Sequence, residues 1–149
     1  IGLVVICGSN KWLYNRLAGR YPDKITAVRF TDKMASYMRM AEVFITKPGG
    51  LSSTEAAVMG TPLLHLPPIP GCETLNLRYF SQRGMSLPFL FSEDAQSQIL
   101  SMLDNEALRE GMCTQQHRYI PHNAAGSICD LLESLAAKTH DAKMELHAT

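Results

Sequence analysis

Short apolar runs alternate along this chain with stretches in which apolar residues recur every three or four positions. That alternation predicts βα units wound around a parallel sheet. Residues 3–7 read as a first strand, with Gly8-Ser9-Asn10 as the turn after it. Trp12, Leu13 and Leu17 share one side at helical spacing, which predicts a helix over 11–20, broken by Pro22-Asp23. A strand rich in β-branched residues is expected over 25–30. Thr31-Asp32 then reads as the cap of a helix carrying Met34, Tyr37, Met38 and Ala41.

The second half repeats the pattern. A strand is expected over 43–46, a loop over 47–50, and a helix over 52–59 that Gly60 ends and Pro62 cannot continue. Residues 63–66 read as a strand, 67–71 as a stiff proline-rich loop, 73–83 as a helix and 86–91 as a last strand. Helices over 95–104, 106–117 and 124–138 complete the domain, and the polar stretch 139–149 is expected to fray. The fold class is therefore α/β, a Rossmann-like parallel sheet flanked by helices, in one domain over 1–138 with a polar tail.

Composition narrows the possible roles. Among 149 residues, 46% are apolar and 19% charged, an ordinary globular balance. Fourteen basic residues balance fourteen acidic ones, so no net field draws the chain to nucleic acid or to an anionic surface. Cys7, Cys72, Cys113 and Cys129 have neither CxxC nor zinc-type spacing, so reduced thiols in a cytosolic protein are expected and no metal. No apolar run approaches the ~20 residues of a membrane helix, and no signal peptide is recognised. The chain opens with Ile1 directly inside a strand-like run, which reads as a piece of a longer protein.

In open α/β sheets, ligands bind beyond the carboxyl ends of the strands. Three loops leave such ends with unusual composition. In Thr46-Lys47-Pro48-Gly49-Gly50-Leu51-Ser52-Ser53-Thr54-Glu55, two glycines precede a helix start, an arrangement that suits a pyrophosphate, with Glu55 one turn further for ribose hydroxyls. The same residues also read as a capping box, Ser52 capping and Glu55 answering it. In Pro67-Pro68-Ile69-Pro70-Gly71-Cys72-Glu73-Thr74-Leu75-Asn76, a stiff loop holds Glu73 and Asn76 on one helix face, where they bind sugar hydroxyls or serve as a first-turn acid and a surface amide. Phe30-Thr31-Asp32 either meets a base through its backbone or caps a helix. Cys72 has no neighbouring His in sequence and reads as an inert thiol. His65, inside an apolar strand, reads as a core histidine, and His117 and His122 as loop residues.

Together the three loops, with Gly60-x-Pro62 between them, resemble the processive diacylglycerol glucosyltransferases and monogalactosyldiacylglycerol synthases. The likeness runs from about Val4 to Leu135, and is more distant to the N-acetylglucosaminyltransferase that completes lipid II. It implies the C-terminal, donor-binding half of a GT-B fold whose active site lies in a cleft between two Rossmann-like domains. By matching positions it implies that the Thr31 backbone meets uracil and that Glu55 binds ribose. Gly49, Gly50, Leu51 and Ser52 would hold the diphosphate, and Cys72, Glu73 and Asn76 would face the donor sugar. The implied partners are a UDP-sugar and, through an N-terminal domain, a lipid acceptor such as diacylglycerol. The full-length protein would then be cytoplasmic and peripheral at the inner membrane face.

The resemblance implies no metal and no cofactor, because an anion site at a helix start replaces the divalent cation. Cys72 departs from the Gln usual in the family, and a thiol hydrogen-bonds weakly, so the sugar stays open. In the strand order 3-2-1-4-5-6 the first, central strand is expected to be missing, and the catalytic base with the N-terminal domain. Two other readings remain: a stand-alone donor-binding subunit that needs a membrane partner, and a sugar-nucleotide 2-epimerase. A nicotinamide oxidoreductase fits worse, since Gly8–Leu13 lacks GxGxxG and the second strand ends without a ribose-binding acid.

Overall fold

The structure is a computed structural model and describes residues 2–90 and 94–147. The chain runs β1 (Leu3–Ile6), α1 (Lys11–Leu17), β2 (Ile25–Val28), α2 (Met34–Met40), β3 (Phe44–Thr46), α3 (Gly50–Val58), β4 (Leu63–His65), α4 (Cys72–Gln82), β5 (Leu87–Pro88), α5 (Ala95–Asp104), α6 (Glu106–Tyr119) and α7 (Ala124–His147). The alternation expected from the apolar pattern stands. Most boundaries move by one to three residues, as frayed ends do. Phe91, the expected end of the last strand, lies outside the described residues. The backbone of α7 continues as helix through residues expected to fray. No Gly or Pro interrupts that stretch after Gly126.

The chain divides into two compact units, Ile1–Ala41 and Glu42–Thr149. In the first, β1 and β2 pair in parallel, Leu3 opposite Ile25 through Ile6 opposite Val28. The Asn10 side chain accepts from the Leu13 amide and so starts α1. The guanidinium of Arg29 lies 4.6 Å from the Tyr14 ring, holding α1 against the end of β2. The apolar run 3–7 was expected to be buried, yet Leu3 and Val4 are 48% and 47% exposed. An apolar strand is buried only where neighbours cover it, and the sole strand hydrogen-bonded to β1 among the described residues is β2.

In the second unit β3, β4 and β5 form a separate parallel sheet with β4 central. Within each sheet the strands pair in sequence order, β1 beside β2 and β3, β4, β5 in turn. All three residues of β4 are buried. Around them Ala56, Ala57, Phe80, Met85, Met102, Met112 and Ile120 make the core. Buried Gln116 on α6 donates to the carbonyls of Thr61 (2.9 Å) and Met85 (3.0 Å), which lead into β4 and β5. The Cys113 thiol donates to the Gly60 carbonyl. Gly60 sits at φ 68°, and a Cβ there would come 3.1 Å from His117 Nε2, so a larger residue would be strained. His117 was expected in a loop but lies on α6, its ring 5.2 Å from that of His122.

His65 closes β4 in full burial, as expected of a core histidine. Its Nε2 lies 3.0 Å from the hydroxyl of buried Ser53 on α3, and its ring meets Phe80 edge-on. Nδ1 has no partner. Burial lowers the His65 pKa from 6.5 to about 4, so the ring is neutral at pH 7. As pH falls from about 6.5 to about 4 the unfolded chain binds a proton that the folded chain refuses, so stability is lost across that window and complete above it. The loss attributable to His65 integrates to on the order of 3 kcal/mol. Urea titrations at stepped pH should therefore show a shallower acid loss in His65→Leu than in the wild type. Equal slopes would show that His65 is not held neutral.

Candidate functional site

The site is built on the turn between β3 and α3. Helix α3 begins at Gly50, two residues before the expected start, with Gly49 at the cap and no side chain capping it. Ser52 is thus inside the first turn, and the capping-box reading of Ser52 and Glu55 does not apply. A buried Pro48 precedes the turn. Every carbonyl leading into the helix is used. The Lys47 carbonyl accepts from Gly49 N (2.7 Å), that of Pro48 from the Asn76 side chain (3.0 Å), and that of Gly49 from Ser53 N (3.1 Å). The Gly50 carbonyl accepts from the Thr54 hydroxyl (2.6 Å).

The amides of Gly50, Leu51 and Ser52, by contrast, donate to nothing among the described residues. Three unpaired N–H groups and the positive end of the helix dipole occur together there, with the nearby carbonyl oxygens turned to other partners. That is an anion-binding geometry. Leu51 is exposed and Ser52 half-buried, its hydroxyl without a hydrogen bond among the described residues. Glu55 is exposed, and its carboxylate makes no hydrogen bond or ion pair among the described residues.

The proline loop ends at Gly71, whose φ of 117° and ψ of −132° are open to glycine alone. Helix α4 starts at Cys72, which is exposed. Glu73 accepts through Oε2 from Ile69 N at 2.7 Å and so closes its own loop. Asn76 is half-buried rather than a surface residue. A Cβ placed on Gly50 would lie 3.9 Å from Asn76 Nδ2, so α4 stands directly beside the start of α3. Gly49, Gly50 and Asn76 are therefore brought together, with Leu51, Ser52 and Glu55 continuing from them on α3, while Cys72 and Glu73 sit one turn before Asn76 on α4.

Thr31 belongs to the first unit. It does not cap α2, which starts at Met34 with Lys33 at the cap position. The Thr31 hydroxyl instead accepts from Lys33 N at 3.0 Å, a local turn that competes with capping. The backbone N–H and C=O of Thr31 make no hydrogen bond among the described residues, and Asp32 is exposed. Ser53 was missed from the sequence. The signal for it was His65, a polar residue in an apolar strand that needs a partner. Among the described residues no three His, Cys, Asp or Glu gather as metal ligands, and no helix is long and apolar enough to cross a membrane.

Residues 1–113 match the model of the glycosyltransferase family 28 C-terminal domain. The chain is 28% identical over 137 residues to the processive diacylglycerol beta-glucosyltransferase of Bacillus pumilus, covering 89% of this chain and 36% of that protein. The enzyme of the same name from Staphylococcus aureus strain Newman is 31% identical over 135 residues, with 88% and 34% covered. Among solved structures, MurG of Acinetobacter baumannii superposes with a TM-score of 0.69 at 22% identity, over 90% of this chain and 41% of that one. The glycotransferase of kitacinnamycin gives 0.70 at 16%, over 89% and 34%. The fold is thus that of the C-terminal domain of MurG-like GT-B glycosyltransferases, and the chain spans about a third of the length of these curated relatives. The match runs through the five strands of the described residues and both site loops, and on it the chain belongs to glycosyltransferase family 28, carrying its C-terminal domain.

Proposed function

We propose that this chain is the donor-binding portion of a hexosyltransferase that moves a sugar from a uridine diphosphate to a lipid acceptor such as diacylglycerol. The observation that carries the reading is the set of unpaired amides of Gly50, Leu51 and Ser52 at a helix start beyond the carboxyl end of β3. A diphosphate there receives three backbone hydrogen bonds and the helix dipole with no cation required. The unbonded Glu55 carboxylate stands a turn further along α3, where it accepts from ribose hydroxyls. Cys72, Glu73 and Asn76 face the sugar. The lipid acceptor rests on the name carried by the relatives from Bacillus and Staphylococcus. The acceptor site and the base that takes its proton belong to a separate N-terminal domain, with the full-length protein peripheral at the cytoplasmic membrane face.

Two outcomes are expected. Glu55→Ala should weaken uridine diphosphate by ~1–3 kcal/mol in calorimetry on the full-length protein, the usual size of a charge-assisted hydrogen bond. The dideoxyribose analogue should bind the variant and the wild type alike; an equal loss on that analogue would remove Glu55 from the ribose.

The second outcome concerns residues 1–149 on their own. Transfer needs an acceptor held in line with the anomeric carbon and a base. Incubated with radiolabelled UDP-glucose, UDP-galactose or UDP-N-acetylglucosamine and mixed lipids, these residues should yield no glycolipid while the full-length protein does. Turnover comparable to the full-length protein would place the acceptor site inside this chain. Turnover restored only by adding a membrane protein would favour a stand-alone donor-binding subunit.

A further inference from the structure

We propose that Asn76 is a positioning residue for the anion-binding turn, acting on the diphosphate through Pro48 and independently of any contact with the sugar. The inference rests on the donor-binding reading above. Asn76 Nδ2 donates to the Pro48 carbonyl at 3.0 Å, joining residues 28 apart in sequence across two helices. Of the carbonyls around the turn, those of Lys47, Gly49 and Gly50 are held by donors within seven residues of them in the same loop and helix. Pro48's is the one held from outside.

Why that bond matters follows from the residues on either side. Gly49 and Gly50 have no Cβ, so the peptide planes between Pro48 and Leu51 turn over at little steric cost. A plane that turned over would swing a carbonyl oxygen, with its partial negative charge, toward the place where the anion's charge must sit. Pro48 itself is buried and fixed at φ by its ring, so the carbonyl on its far side is where the flexible part begins. Asn76 holds that oxygen onto α4. The amide has a second N–H and an oxygen to spare, so the latch does not preclude a sugar contact. It does mean that loss of Asn76 is felt by ligands that have no sugar.

The test uses Asn76→Ala and Asn76→Leu in the full-length protein, the second filling the volume without restoring a donor. Calorimetry is run with uridine, uridine diphosphate and UDP-glucose, after circular dichroism and thermal melts establish which variants fold. The dissociation constant of uridine diphosphate should rise about tenfold, the value of one hydrogen bond that orders a loop, and that of uridine should stay within about twofold. A loss seen with UDP-glucose and absent with uridine diphosphate would overturn the proposal and leave Asn76 as a sugar contact.

A second readout needs no nucleotide. The amide protons of Gly49 and Ser53, bonded to the Lys47 and Gly49 carbonyls, should exchange with solvent about tenfold faster in the variants. Unchanged exchange in a folded variant overturns the latch whatever the ligand proves to be. A wild type that binds no uridine nucleotide, with exchange accelerated in the variants, keeps the latch and overturns the donor reading instead.

Discussion

A helix cannot satisfy its own first amides, and the use made of that constraint at Gly50 organises the second unit. An N-cap side chain would ordinarily quench one of those donors, and here the cap is Gly49, which has none to offer. The result is a cluster of donors with no acceptor, surrounded by carbonyls that are all engaged elsewhere. Such a turn is unfavourable as an isolated piece of structure. It persists because the sheet and two neighbouring helices determine it from outside.

Those determinants act at opposite ends of β4. Where the chain enters the sheet, Gln116 holds the carbonyls of Thr61 and Met85 with both hydrogens of one amide nitrogen. Where it leaves, His65 meets the Ser53 hydroxyl and fixes the first turn of α3 to the end of the strand. Each contact has a cost. The Gln116 oxygen and His65 Nδ1 are buried without partners, and an unpaired buried polar atom costs about 1–3 kcal/mol. An apolar residue at 65 would avoid its share of that penalty but leave the buried Ser53 hydroxyl unbonded. Clamped at both ends, β4 presents its exit loop and that of β3 in a fixed relation.

How much of this was legible follows from the range of each interaction. Helix and strand order came through because the 3.6- and 2-residue periods are local, and α5 occupies the residues expected of it, Ala95–Asp104. The start of α3 was misplaced because Ser52-x-x-Glu55 imitates a capping box, while the true cap is a residue without a side chain. The half-exposure of β1 and the separation into two sheets depend on which strands find one another, which composition does not encode. The site loops were found as loops. What joins them, the bond from Asn76 to Pro48, spans a distance in sequence that no spacing rule covers.

The same bonds narrow how a donor sugar can be recognised. The stiff loop is closed by one oxygen of Glu73 on Ile69, and the glycine turn by one N–H of Asn76 on Pro48. In the proposed donor complex the sugar therefore meets the remainder: the second carboxylate oxygen, the second amide hydrogen with its carbonyl, and the Cys72 thiol at the first position of α4. A thiol donates and accepts weakly, so the position closest to the loop contributes little directional preference. Discrimination between sugars that differ in one hydroxyl then falls on Glu73 and Asn76, groups already anchored by the fold. Anchored groups are poor at adapting but lose little entropy on binding, which favours one hydroxyl pattern over a family of them. In that proposed complex Asn76 alone would serve both the glycine turn and the choice of sugar, so a change at Asn76 made for one would disturb the other.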